Sequence, residues 1–135
     1  MTIEDRIKVF EKLGEFLMDF CNENPNSNHP LETIIKSSSS YNGWFTSSNI
    51  RFSISAICNN LSSAKLFSWL SSYSIPIEAK KNVSIIMAGN IPLVGFNDFL
   101  CVLMSGHRAI IKLSSKDNRL FLPIIEELLV IEPRF

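Results

Sequence analysis

A chain of 135 residues, 46% hydrophobic and 19% charged, has the size and composition of one folded globular unit and not of a disordered or fibrous polypeptide. Thirteen basic residues balance thirteen acidic ones and no lysine or arginine stripe runs along the chain, which argues against nucleic acid as a partner. No apolar stretch approaches the roughly 20 residues that span a bilayer, and the charged start MTIEDRIKVF is unlike a secretory signal, so the sequence predicts a cytoplasmic protein with no membrane span.

Ile3, Ile7, Phe10, Leu13, Leu17 and Phe20 recur at intervals of three and four, which predicts a helix with one packing stripe, capped by Thr2 and stopped in NENPNSNHP. Its polar side mixes Glu4, Asp5, Glu11 and Glu15 with Arg6, Lys8 and Lys12, a solvated face and not a basic membrane-surface one. A short helix from about Leu31 to Lys36 comes next, then the polar connection SSSSYNG, whose hydroxyls favour local hydrogen bonds over regular structure. Thr46 to Ser72 fits two helices split near Asn59 to Leu61, the second capped by Ser62 or Ser63, with Leu66, Trp69 and Leu70 turned inward. Trp44 and Trp69 are expected as core or interface anchors. Cys21, Cys58 and Cys101 are widely separated with no CxxC pair; neither a disulfide framework nor a metal site is expected, and the default is reduced, buried thiols.

The pattern changes at Ile75 to Lys81. VSIIMA and RAIIKL are β-branched runs, apolar at successive positions, as in strands covered on both faces. Between them Phe96, Leu100 and Leu103 share a helical face with Phe99 and Met104 beside it, and Gly106 stands where a helix C-terminus favours positive φ. Strand, helix and strand with short connections form a βαβ unit with parallel strands. A helix over about Asn118 to Val130 follows, either kinked at Pro123 or effectively starting near it. The expected fold class is therefore α/β, with residues 1–75 mainly helical and residues 76–135 beginning an α/β domain.

Ligands of open α/β sheets sit beyond the carboxyl ends of the strands, where Ala88-Gly89-Asn90 and Lys112-Leu113-Ser114-Ser115 fall on one rim. Gly89 permits close backbone approach, Asn90 offers an acceptor and two donors, and Lys112 adds a charge beside hydroxyls suited to a sugar or phosphate. A turn with a solvated lysine is the plainer reading of the same residues. Neither GxGxxG nor GxxxxGK[ST] is present, and Asp98 at the start of the crossover helix repels phosphate, so a pyrophosphate would be held elsewhere. Cys101, between Leu100 and Val102, reads as a small buried hydrophobe with a raised pKa, and His29 and His107 as turn residues without a triad partner.

The segment VSIIMAGNIPLVGFNDFLCVLMSGHRAIIKLSSKD resembles the N-terminal cofactor-binding region of the aldehyde dehydrogenase superfamily. It is more similar to the long-chain acyl-CoA reductase branch, the reductase component of bacterial bioluminescence fatty-acid reductase, and NGWFT and FSWLSSY resemble the same branch. The resemblance implies a partial aldehyde-dehydrogenase-like Rossmann βαβα unit and a parent enzyme that reduces fatty acyl-CoA to fatty aldehyde through a cysteine thioester. Asn90 occupies the place of the family asparagine that donates to the oxyanion, which makes it the catalytic residue implied here. Ile86, Met87, Ala88, Gly89, Lys112, Ser114 and Ser115 occupy cofactor-binding places. The family's Lys-Pro-Ser-Glu is matched by Lys112-Leu113-Ser114-Ser115; the missing glutamate, with Lys116 and Arg119 nearby, favours NADP(H) over NAD(H). The family's nucleophilic cysteine and its pyrophosphate turn lie on later segments. The chain, ending at IEPRF where a further βα unit is due, is thus expected to be an N-terminal piece, inactive alone, with an unfinished sheet, of a homo-oligomeric parent. Another aldehyde dehydrogenase-type oxidoreductase, or a nonenzymatic α/β interaction module, are the alternatives.

Overall fold

Helix α1 (Ile3–Met18) begins in a reciprocal cap: Thr2 Oγ1 accepts the Asp5 N–H at 3.1 Å, and Asp5 Oδ2 accepts the Thr2 N–H at 3.0 Å. In this computed structural model, which describes residues 1–24, 26–75 and 79–135, α1 packs against four of the later helices. Its predicted stripe is buried, with Phe10, Leu13 and Leu17 at its centre. Helix α2 (Pro30–Ser37) and a single 3₁₀ turn at Ser38–Ser40 lead to α3 (Ser47–Asn60) and α4 (Ser63–Leu70). Strand β1 (Asn82–Ile86), α5 (Phe96–Met104), β2 (Arg108–Lys112) and α6 (Phe121–Ile131) complete the order. The expected boundary between residues 75 and 76 adjoins residues 76–78, outside the described residues, as does Pro25 in the predicted helix stop. One hydrophobic cluster runs from α1 and α3 through α5 to α6. Among the described residues no helix is long and apolar enough to cross a membrane.

The break between α3 and α4 falls at Leu61 and Ser62, as predicted, but its cap differs. Ser62 is the N-cap residue, yet its side chain makes no capping bond. Glu11 Oε1, reaching across from α1, accepts the Ser63 N–H at 3.1 Å instead. Leu66 and Leu70 point inward as expected. The two tryptophans do not form the core: Trp44 is 76% exposed and Trp69 36% exposed. Phe45, fully buried, takes the inward place in the turn before α3, and the short α4 is filled by its Leu66 and Leu70 face.

Sequence periodicity does not reveal Glu32 and Arg51, both of which are buried. Arg51 Nη2 donates to Glu32 Oε1 at 2.6 Å and Nη1 to Oε2 at 3.2 Å, a two-pronged pairing. The same Nη1 donates to the carbonyls of Phe20 at 2.9 Å and Asn22 at 2.8 Å, so one guanidinium joins α2, α3 and the end of α1. The Arg51 hydrogen bonds, aided by Lys36 at 3.4 Å, hold the Glu32 carboxyl below its ordinary 4.5 against the opposing effect of burial.

The strands pair in parallel with Ile85 opposite Ile111 and Ile86 opposite Lys112, as the βαβ reading requires. Coverage of both faces is not found. Val83, Ile85, Ala109 and Ile111 face the helices, whereas Ile86 is 80% and Ile110 53% exposed. The helices among the described residues pack on one side only, so alternate positions of each strand stay open. Gly106 has φ +88°, the left-handed conformation anticipated after α5. A side chain there would strike Arg6, whose Nη1 donates to the Met104 carbonyl at 3.0 Å and so places a cation at the end of α5. Helix α6 starts at Phe121 with Pro123 as its third residue, where the missing N–H leaves no helical bond unmade.

Arg51→Met should cost roughly 3–5 kcal/mol in urea unfolding at neutral pH because Glu32 is left charged and unpaired, and adding Glu32→Leu should recover most of it. Because the Glu32 pKa is lower folded than unfolded, its contribution is complete above the ordinary 4.5 and disappears as the pH falls through the folded value; the double variant should lack that part of the acid decline. Equal stability of the single and double variants would contradict the pairing.

Candidate functional site at the strand ends

The register carries both chains out of the sheet at one end. The ladder continues one step past β1, since the Met87 N–H donates to the Lys112 carbonyl at 3.0 Å. Beyond it the two exit loops touch. A Cβ on Gly89 would lie 2.3 Å from Ser114 Oγ and 2.6 Å from Ser114 Cβ, so glycine is required there by the neighbouring loop, which fills the space the sequence reading reserved for a ligand. Ser114 is itself set in a tight turn: its carbonyl accepts the Asp117 N–H at 3.1 Å and its hydroxyl the Lys116 N–H at 3.2 Å.

Asp117 fastens the loops a second time. Its Oδ2 accepts the Leu93 N–H at 3.1 Å, although Leu93 follows β1 and Asp117 follows β2. Leu93 has φ 59°, a left-handed backbone that costs a branched residue on the order of 1 kcal/mol, and its buried side chain and this hydrogen bond hold it there. The resulting turn leads into Gly95, the N-cap residue of α5. Burial pushes the Asp117 carboxyl above its ordinary range, and its Oδ1 has no hydrogen-bond partner among the described residues.

The residues singled out in the sequence divide into two groups. Asn90, Lys112 and Ser115 are exposed on the rim, and among the described residues none of their side chains has a hydrogen-bond or ionic partner. Ile86, exposed on the open sheet face, is the register neighbour of Lys112, giving an apolar surface beside a cation. Ala88 is exposed between them. Met87 is buried, packed where a Cβ on Gly95 would come within 2.6 Å of its Cγ, so only its backbone borders the rim. Gly89 is buried and Ser114 half-buried against each other. Lys116 is exposed, its carbonyl receiving a hydrogen bond from Asn42 Nδ2 at 3.3 Å, and the Arg119 guanidinium stacks over the Tyr41 ring at 4.6 Å. The YNG stretch thus reaches the rim, a contact with no sequence signal beyond its aromatic residue.

Of the exposed group, Lys112 and Ser115 can donate to hydroxyl or phosphate oxygens, and Ile86 offers an apolar surface beside them. Asp98 lies in the first turn of α5, where its charge disfavours a phosphate group. Clefts of about 730 Å³, beside Arg6, Phe67, Tyr73 and Gly106, and about 310 Å³, beside Trp69, Cys101 and His107, lie toward the opposite, entering end of the strands.

The remaining candidates have structural explanations. Cys101 is exposed and not buried as expected, because it lies on the outer side of α5; its sulfur faces the Trp69 cleft, and this partial burial, with the Asp98 charge, raises its pKa. His29 caps α2, its Nδ1 accepting the Leu31 N–H at 3.1 Å, and its ring packs on Phe16 and Phe20. His107 Nδ1 accepts the Lys81 N–H at 3.4 Å. Among the described residues no group of three or more His, Cys, Asp or Glu side chains is arranged to hold a metal.

No protein-family model, curated protein or solved structure matches this chain.

Gly89→Ala should destabilise the protein by roughly 1–3 kcal/mol through the clash with Ser114. Combining it with Ser114→Gly, which clears the space, should return much of that loss in thermal or urea unfolding. Strictly additive single-variant effects would show that the two loops do not touch.

Proposed function

We propose that this chain is the N-terminal part of an NADPH-dependent acyl-CoA reductase that converts long-chain fatty acyl-CoA to fatty aldehyde. The observation that supports this reading is the shared rim: Ile86 opposite Lys112 in the sheet, Gly89 against Ser114 beyond it, and Asn90, Lys112 and Ser115 left free. The parallel strands bring these positions to one end of the sheet, as the proposal needs, although Gly89 there meets Ser114 and not a ligand.

In the proposed reaction a cysteine thiolate, supplied by a later part of the parent protein, attacks the acyl-CoA carbonyl. Charge gathers on the carbonyl oxygen, and the Asn90 amide N–H stabilises it there. Being neutral and unpaired, that amide need not break another side-chain interaction before it donates. Collapse of the adduct expels the CoA thiolate and leaves an acyl-enzyme. When bound, NADPH would supply the hydride needed to reduce the acyl group to the aldehyde. Lys112 pairs with phosphate or ribose oxygens, Ser115 donates beside it without adding a negative charge, and Ile86 shields an apolar ring from water. The open sheet face and free strand edges are where the parent's later strands and helices would join, and where copies of a homo-oligomer could meet.

The natural polypeptide containing this segment should consume NADPH only when a long-chain acyl-CoA is added, and should use NADPH in preference to NADH. Asn90→Ala should lower kcat about 10²–10³-fold with little change in NADPH affinity, since it removes one oxyanion donor. Acyl-CoA-independent NADPH turnover, no turnover, or a clear preference for NADH would contradict the proposal.

A further inference from the structure

Cys21 and Cys58 stand 37 residues apart in sequence, yet their sulfurs are 3.8 Å from each other. Cys21 lies just beyond the end of α1 and is half-buried; Cys58 lies in the last turn of α3 and is buried. The approach does not depend on the two thiols alone. Arg51, two turns before Cys58 on the same face of α3, donates to the carbonyls of Phe20 and Asn22, the residues on either side of Cys21. Glu32 fixes that guanidinium in turn. The backbone carrying Cys21 is therefore held against α3 by a buried ion pair, and the entropic cost of bringing the sulfurs together is met by folding itself.

We propose that Cys21 and Cys58 form an oxidation site that hydroperoxides convert to an intramolecular disulfide. Cys21, the more accessible thiol, is oxidised first: its thiolate attacks the hydroperoxide, an S–O bond forms, the O–O bond breaks, and the alcohol or water leaves with a proton from solvent. The sulfur loses two electrons and becomes a sulfenic acid. Cys58 then attacks that sulfur; the S–S bond forms, the S–O bond breaks, and water departs with the Cys58 proton. Burial and the adjacent Cys21 raise the Cys58 thiol to about 12, which disfavours it for the first attack; its place 3.8 Å from the Cys21 sulfur is what makes it the resolving partner. Closing from 3.8 Å to the bonded distance of about 2.05 Å needs a side-chain rotation at Cys21, which sits in a turn and not within a helix. An external dithiol reverses the step by exchange. Cys101, exposed on α5, has neither partner nor anchoring arginine and takes no part.

The test is peptide mapping of the whole chain after brief hydrogen peroxide treatment, with trypsin cleavage after Lys36 and Arg51 separating the two cysteines. The expected result is a mass loss of about 2 Da, a linked Cys21–Cys58 peptide, free Cys101, and a midpoint of thermal unfolding raised by about 5–10 °C that dithiothreitol reverses. Cys58→Ser should stop the reaction at a Cys21 sulfenic acid trapped by dimedone, while Cys101→Ser should leave the linked peptide unchanged. Over-oxidation of Cys21 without a linked peptide in the wild-type chain, or cross-linking only through Cys101, would overturn the proposal whether or not the variants fold.

Discussion

Two paired parallel strands must leave their sheet at the same end, and the structure of this protein's rim is set by that constraint. The chain emerging from β1 and the chain emerging from β2 compete for one volume above the sheet. Gly89 yields it to Ser114, and Asp117 then takes up the Leu93 N–H. Once the loops are locked in this way, the side chains of Asn90, Lys112 and Ser115 remain exposed outside them. The glycine therefore acts one step earlier than a ligand-approach role would place it. It lets the protein approach itself.

The helical half is ordered by a different principle. A buried guanidinium with four hydrogen bonds holds α2, α3 and the turn after α1 together. Such a group is costly to desolvate, and replacing the whole pair with apolar residues need not weaken the fold. What the ion pair contributes is definition: it fixes which residues meet at the end of α1, including the two sulfurs. Arg6 performs a similar joining role at the other end of α1, binding the last carbonyl of α5 beside Gly106, whose left-handed backbone calls for glycine.

Features with a short-range period could be read from the sequence. The α1 stripe, the split of the second helical stretch at Leu61, the parallel pair of strands, the positive φ at Gly106 and the start of α6 near Pro123 each follow from local chemistry. The errors lie where the answer depends on what packs against an element. VSIIMA reads as a strand buried on both faces because its residues are apolar, but its neighbours cover only one face. Of the two places expected for Trp44 and Trp69, core or interface, the core is taken by Phe45, Leu66 and Leu70. Glu32 and Arg51, and likewise Cys21 and Cys58, are too far apart for any periodic pattern to link them. At the rim, the residue types were legible and the Ser114 contact that dictates Gly89 was not.

In the proposed enzyme a nucleoside cofactor would sit on the rim fastened by Ser114 and Asp117, and not in the clefts at the opposite end of the strands. Hydrogen–deuterium exchange of the protein with and without saturating NADPH tests it most directly, because backbone protection reports where the ligand lies without requiring turnover. Slowed exchange is expected across residues 87–95 and 112–119, with the α4 and Gly106 regions unchanged. Protection confined to the segments around Phe67, Tyr73 and Gly106, or no protection at any NADPH concentration, would contradict it.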